Sequence, residues 1–139
     1  MPARRRGGLL SMLALAQTLG FALIADAAEL LMFEQPGCPF CAKFDAEIAP
    51  DYPRSEAGRI APLRRVDIHD DRTGGIEGLD PAVFTPTFVV VDDGREIGRL
   101  LGYPGKRYFY PEIDALIARL KRSEAGTDAS AGQGQAETR

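Results

Sequence analysis

Glu34 to Phe44 reads EQPGCPFCAKF, and it holds both cysteines of the 139-residue chain, Cys38 and Cys41, separated by a Pro-Phe pair. Just before it, Leu30-Leu31-Met32-Phe33 is a short apolar run that suits a buried strand. From Cys38 onward, Cys38, Cys41, Phe44 and Ile48 fall at spacings of three, three and four, so one helical stripe runs through both cysteines. Pro50 should end that helix. Two cysteines at this spacing leave three chemical readings open: a redox pair, half of a metal site, or a structural staple.

The rest of the chain builds outward from this stretch. Asp51 to Pro62, with Pro53, Gly58 and Pro62, reads as a loop or an irregular turn of helix. Leu63 to Ile68 (LRRVDI) alternates well enough for a second strand, and a helix between two strands argues for a parallel βαβ unit with a right-handed crossover. His69 to Pro81 contains Gly74, Gly75 and Gly78, so any helix there is expected to be short or broken. Thr87 to Val91 (TFVVV) is the strongest strand signal, Asp92-Asp93-Gly94 is a hairpin turn, and Glu96 to Leu101 returns as the antiparallel partner. Tyr108 to Leu120 carries Phe109, Ile113, Leu116, Ile117 and Leu120 at helical spacing. The expected order is β-α-β-(short α)-β-β-α, an α/β fold without internal repeats.

The two ends read differently from the middle. Arg4-Arg5-Arg6, an apolar run from Leu9 to Ala25 and the small residues of Ala25-Asp26-Ala27 have the layout of a secretory signal peptide over residues 1–27. The alternative is an uncleaved anchor, since 17 residues make roughly 25 Å of helix, a little short of a bilayer core. Gln17 and Thr18 weaken the run, and Gly7-Gly8-Leu9-Leu10 fit a twin-arginine signal poorly. Either route exports the domain, read as residues 28–122. From Ser123 onward Ala, Gly, Gln, Ser and Thr dominate without periodicity, so 123–139 is expected to be a disordered tail. Without residues 1–27 the chain keeps 14 basic and 19 acidic residues, a formal charge of −5. Such a balance gives no reason to expect nucleic acid as a partner.

A Cys-x-x-Cys directly after the first strand and opening the first helix resembles the thioredoxin fold in its short, glutaredoxin-sized form, which implies a central mixed four-stranded sheet. A second marker lies far away in sequence. Thr85-Pro86 stands directly before TFVVV, where proteins of this family place a cis-proline facing the active-site disulfide, and cis bonds are essentially confined to X-Pro. The resemblance and the placement imply roles. Cys38, at the positive end of a helix with unsatisfied N–H groups, is the expected nucleophile. Pro39 presets the first helical turn. Cys41, one turn deeper, is the resolving thiol that releases the partner from the mixed disulfide.

The rival readings are weaker. A zinc site needs about four ligands, and His69 is the single histidine of the chain. A staple closed across so short a loop would constrain the unfolded chain very little. No metal or cofactor is expected. A thioredoxin-like binding or regulatory module without catalysis is the alternative from another class, and a disulfide-forming oxidase or isomerase the alternative within it.

Cytosolic thioredoxins carry Trp before the motif and Gly-Pro inside it, whereas this chain has no Trp and places Pro39-Phe40 between the cysteines. Pro39-Phe40 is close to the Pro-Tyr of glutaredoxins, but LLGYPGKRYF (Leu100 to Phe109) lacks their Gly-Gly-Asp glutathione-binding element. Residues 29–122 as a whole resemble the small periplasmic thioredoxins encoded with bacterial sulfur-oxidation (Sox) genes. That resemblance rests on FEQPGCPFCAKFDAEIAP, YPRSEAGRIAPLRRVDI and TPTFVVVDDGREIGRLLGYPG. It implies a periplasmic thiol-disulfide oxidoreductase that keeps a sulfur-carrier protein's cysteine reduced, with electrons from a membrane thiol transporter; the protein itself is expected to be a monomer.

Other residues have two readings each. Phe40, on the exposed rim, would contact a partner or pack locally, while Thr85 and Pro86 would pair main chain to main chain with an extended partner segment. Gly102-Tyr103-Pro104-Gly105 would border the groove or form a plain turn. Lys43 would tune Cys38 or simply be solvated. Asp45 or Glu47 would accept the proton of the resolving thiol or lie on the helix surface. His69 is expected in a loop or at a strand end, and Arg64-Arg65 at an edge or toward an acidic partner.

Overall fold

A computed structural model describes residues 27–131, with side chains for residues 27–122. Apart from Ala27, the signal segment expected over 1–27 lies outside the described residues. Four strands form one mixed sheet: β1 (Glu29–Glu34), β2 (Leu63–Asp67), β3 (Thr87–Asp92) and β4 (Arg95–Leu101), in the order β2-β1-β3-β4. β1 runs parallel to β2 and antiparallel to β3, and β4 closes a hairpin on β3. The two inner strands are buried on both faces, which is why they read as unbroken apolar runs instead of alternating.

Two hydrophobic layers lie on either side of this sheet. On one face Leu30, Met32, Phe88 and Val90 meet Phe44 of the first helix α1 (Pro39–Glu47) and its C-cap Ile48, and the last helix through Phe109, Ile113, Leu116 and Ile117. Phe109 is the hub, with ring centroids 5.2 Å from both Phe44 and Phe88. On the other face Leu31, Phe33, Val66, Val89 and Val91 are covered by Leu79, Ala82 and Ile76, all from the segment between β2 and β3.

That segment corrects one expectation. The short helix placed within His69 to Pro81 is not formed; the chain runs there as turns and bends. Gly74, at φ +61°, passes so close to the sheet that a Cβ on it would stand 2.8 Å from Leu31 Cδ1. A helical turn carrying side chains does not fit at that distance, and the loop is instead closed by the Ala82 N–H donating to the Arg72 carbonyl at 2.7 Å. The short helix lies earlier, as α2 (Glu56–Ile60), in the stretch read as loop or irregular turn. The Ser55 hydroxyl caps it by accepting from the Gly58 N–H at 2.9 Å. A 3₁₀ turn at Tyr52–Arg54 precedes it, and Tyr52 donates to the Ala61 carbonyl at 2.8 Å, tying this corner together.

The last helix, α3 (Lys106–Ala131), corrects another. It begins before Tyr108 and continues through residues 123–131, which were expected to be disordered. A helix already fixed by the packing of Phe109 to Leu120 gains one hydrogen bond per added residue, and the Lys, Arg, Glu and Ala that follow favour this despite Gly126. Residues 132–139 of the expected tail lie outside the described residues. Among the described residues no helix is long and apolar enough to cross a membrane.

Candidate active site

At the C-terminal end of β1 the chain turns through Pro36 and Gly37, the latter at φ +75°, and delivers Cys38 to the N-cap of α1. Cys38 keeps an extended backbone, Pro39 occupies the first turn, and the Cys41 N–H donates to Cys38 Sγ at 3.1 Å. The sulfur thus takes the place a serine or aspartate oxygen holds in an ordinary helix cap. Cys38 and Cys41 are joined as a disulfide with Cα atoms 5.3 Å apart. Both residues are buried, Cys41 with its flank in the main core beside Phe44.

The Thr85–Pro86 peptide bond is cis. Pro86 is buried at the start of β3, and the Thr87 hydroxyl donates to the Phe84 carbonyl at 2.9 Å, fixing the bend that leads into the strand. Pro86 lines a groove of about 330 Å³ together with Phe40, Phe84, Leu101 and Tyr103. Phe40 is 59% exposed, Leu101 56% and Phe84 44%, so the groove opens onto a band of uncovered apolar side chains.

A second recess, about 540 Å³, is lined by Cys38, Cys41, Glu34, Asp45 and Asp67. Arg65 binds two of these carboxylates, Glu34 at 2.6 Å and Asp45 at 2.5 Å. The disulfide lines this acidic cleft, while Phe40, between the two cysteines in sequence, lines the apolar groove.

The remaining sequence candidates fall away from the sulfurs or are engaged elsewhere. Asp45 is held by Arg65 and Glu47 by the Tyr103 hydroxyl, which donates to Oε2 at 2.6 Å. Lys43 is exposed. His69 lies in the turn after β2, its backbone N–H on Asp67. Arg64 forms a fork with Glu29 and also donates to the Gly74 carbonyl. Among the described residues no three His, Cys, Asp or Glu side chains are grouped to hold a metal ion. Phe84 and Leu101 were not singled out as site residues from sequence, whereas Tyr103 stands in the Gly102 to Gly105 stretch read as groove border or plain turn, and it lines the groove. Phe84 directly precedes Thr85-Pro86, and Leu101 pairs with Thr87 across the hairpin, so adjacency to the proline was the available signal. Burial, then the hydrogen bond to Glu47, pushes the Tyr103 phenol well above its ordinary range.

Residues 26–117 match a family described as a thioredoxin-like domain. The chain belongs to the thioredoxin-like family. The periplasmic thioredoxin SoxS from Paracoccus pantotrophus, solved in its reduced form, is similar at 49% identity and a TM-score of 0.63, covering 67% of this chain and 98% of that one. The Malassezia sympodialis thioredoxin Mala s 13 aligns at 20% identity and a TM-score of 0.48, over 66% of this chain and 76% of its own. No curated protein is similar enough to count as a match. A thioredoxin-like chain whose Cys-x-x-Cys pair is joined at the head of α1 is a thiol-disulfide oxidoreductase.

Proposed function

We propose that this thioredoxin-like protein works in the periplasm as a reductant of protein disulfides or mixed disulfides, such as one formed on a sulfur-carrier protein. The observation that carries thiol-disulfide exchange is the Cys38 sulfur at the N-cap of α1, receiving the Cys41 N–H at 3.1 Å, while the direction of electron flow is argued from the Pro39-Phe40 pair below. In the reduced protein this donor and the helix dipole favour a thiolate at Cys38. The 49% identity to the periplasmic thioredoxin SoxS supports the compartment.

The Cys38 thiolate attacks one sulfur of the partner's disulfide. A Cys38–partner bond forms, the partner's S–S bond breaks, and the second partner sulfur leaves as a thiolate that takes a proton from water. Cys41 then loses its proton and attacks Cys38 Sγ, breaking the mixed disulfide and releasing the attacked partner sulfur as a thiolate, which in turn takes up a proton. Two electrons have passed to the partner and the Cys38–Cys41 disulfide remains, to be reduced again by an external dithiol, for which a membrane thiol transporter is the proposed source. Pro39 shapes the turn under the attacking sulfur. Phe40, Thr85 and Pro86 receive an extended segment of the partner alongside the disulfide.

Pro39-Phe40 places neither histidine nor charge between the cysteines, so nothing there stabilises the reduced form to the degree a strong oxidant requires. The test is the equilibrium redox potential of the Cys38/Cys41 pair against defined dithiol buffers. A value toward about −250 mV or lower supports a donor; one near about −120 mV means a disulfide-forming oxidant and overturns the reading. Cys41→Ser should also trap partner proteins as mixed disulfides, and their absence under mild oxidation would overturn the mechanism.

A further inference from the structure

The loop after β4 forms one wall of the apolar groove, through Gly102, Tyr103 and Pro104. It is fastened at two points. The Gly102 N–H donates to the Pro86 carbonyl at 2.8 Å, tying the loop to the cis-proline strand. The Tyr103 hydroxyl donates to Glu47 Oε2 at 2.6 Å, tying it to α1, 56 positions away in sequence. Between these points the Tyr103 ring stands edge-on to Phe44 with centroids 5.8 Å apart, and Phe44 lies one turn beyond Cys41 on the same helix. Tyr103 is 7% exposed, and its hydrogen bond to Glu47 is partly buried.

We infer that Tyr103 and Glu47 form a positioning pair, which holds the groove wall at a fixed distance from the helix that carries Cys38 and Cys41 and so sets the fit of a partner's extended segment. Neither side chain hydrogen-bonds to the sulfurs. With the Tyr103 tie removed, the loop keeps its main-chain bond to Pro86 and can pivot about it, widening the groove on the Phe40 side. An extended protein segment, which must contact wall and disulfide together, loses more than a small disulfide that covers only the sulfurs. The inference rests on the proposed reading that the groove receives a protein segment.

The experiment follows insulin reduction by the purified protein, with dithiothreitol as electron source, and compares it with 2-hydroxyethyl disulfide. Tyr103→Phe, which removes one oxygen, is expected to raise KM for insulin about tenfold, the size of a lost hydrogen bond to a charged group, with kcat changed less than about twofold. The loss for 2-hydroxyethyl disulfide should be smaller. Glu47→Gln keeps an acceptor for the hydroxyl and should retain a KM near that of the parent, whereas Glu47→Ala should match Tyr103→Phe. The double variant Tyr103→Phe/Glu47→Ala should be no worse than either alone. An unchanged KM in Tyr103→Phe, equal losses for the two disulfides, or a Glu47→Gln as impaired as Glu47→Ala each overturns the pairing. The Glu47 variants carry the test should Tyr103→Phe not fold. Partner trapping by Cys41→Ser with an unaltered KM in Tyr103→Phe would sink this inference alone, while absent trapping sinks the reading beneath it.

Discussion

The Cys41 N–H donates to the Cys38 sulfur at 3.1 Å, across the first turn of α1. The first-turn N–H groups of a helix have no carbonyl to bind, and here one of them is committed to a cysteine. Cys41 has no such donor on its sulfur and packs against the core. In the reduced protein at pH 7, iodoacetamide should therefore alkylate Cys38 at least about tenfold faster than Cys41. Peptide mass spectrometry of a time course reads this directly, and equal labelling or Cys41 reacting first would show that the cap does not activate the sulfur.

Two phenylalanines should separate stability from recognition. Phe109 is fully buried among Phe44, Tyr52, Phe88 and Tyr103, so Phe109→Ala should cost about 3–5 kcal/mol in urea unfolding. Phe40, 59% exposed at the groove mouth, should change stability by less than about 0.5 kcal/mol when replaced by Ala, while weakening reduction of a protein disulfide. A Phe40→Ala protein that is clearly destabilised would place this ring in the fold instead of the interface.

The main framework was legible because its signals are local. The strand before Cys38, the helical stripe through Cys41 and Phe44, and the TFVVV strand with its Asp-Asp-Gly turn all appear where expected. The short helix was misplaced because glycines at 74, 75 and 78 and the Pro-Gly pattern of 53–62 look equally irregular in one dimension. What distinguishes them is tertiary: Ser55 finds an N–H to cap, whereas Gly74 must pass close over Leu31. The Tyr103–Glu47 bond was invisible for the same reason, since nothing in a sequence links positions 56 apart. The extension of α3 past Arg122 was missed because composition alone says little about a helix nucleated elsewhere.

Gly58 offers a substitution whose sign is informative. Helix propensity alone says that Gly→Ala within a helix stabilises by about 1 kcal/mol. A Cβ at Gly58 would, however, overlap the main-chain carbonyl of Tyr52, and backbone cannot rotate aside as a side chain can. Gly58→Ala should therefore destabilise by about 1–3 kcal/mol. A higher melting temperature in this variant would mean that the 3₁₀ turn before α2 yields easily.

The acidic cleft should leave a salt signature on small substrates. Glu34, Asp45 and Asp67 lie beside both cysteines, with Arg65 shared between the first two. The dithiol should react faster with cationic cystamine than with anionic glutathione disulfide. That ratio should shrink as ionic strength rises and the screening length falls from about 10 Å at 0.1 M to about 3 Å at 1 M. Stopped-flow rates at several salt concentrations test it, and a ratio indifferent to salt would mean that the cleft carboxylates do not act on the approaching disulfide.

Tyr52 links a buried hydrogen bond to pH. Its hydroxyl donates to the Ala61 carbonyl, and burial, with smaller contributions from Tyr110 and Asp114, pushes the phenol far above its ordinary value. Tyr52→Phe leaves that carbonyl without its partner and should cost about 1–3 kcal/mol at pH 7. The sign of the pH dependence follows from the direction of the shift. An unfolded tyrosine ionises near about pH 10, while the folded one holds its proton beyond that point. Above about pH 10 the unfolded state therefore binds fewer protons than the folded state, and the stability that Tyr52 contributes is lost as pH rises. Urea titrations at pH 8, 10 and 11 should show the parent protein losing stability along this limb and the gap to Tyr52→Phe narrowing. Tyr103, raised in the same direction, adds to the parent's slope in both proteins and does not alter the difference. A gap that stays constant or widens would mean that the phenol ionises as readily in the folded protein as in the unfolded chain.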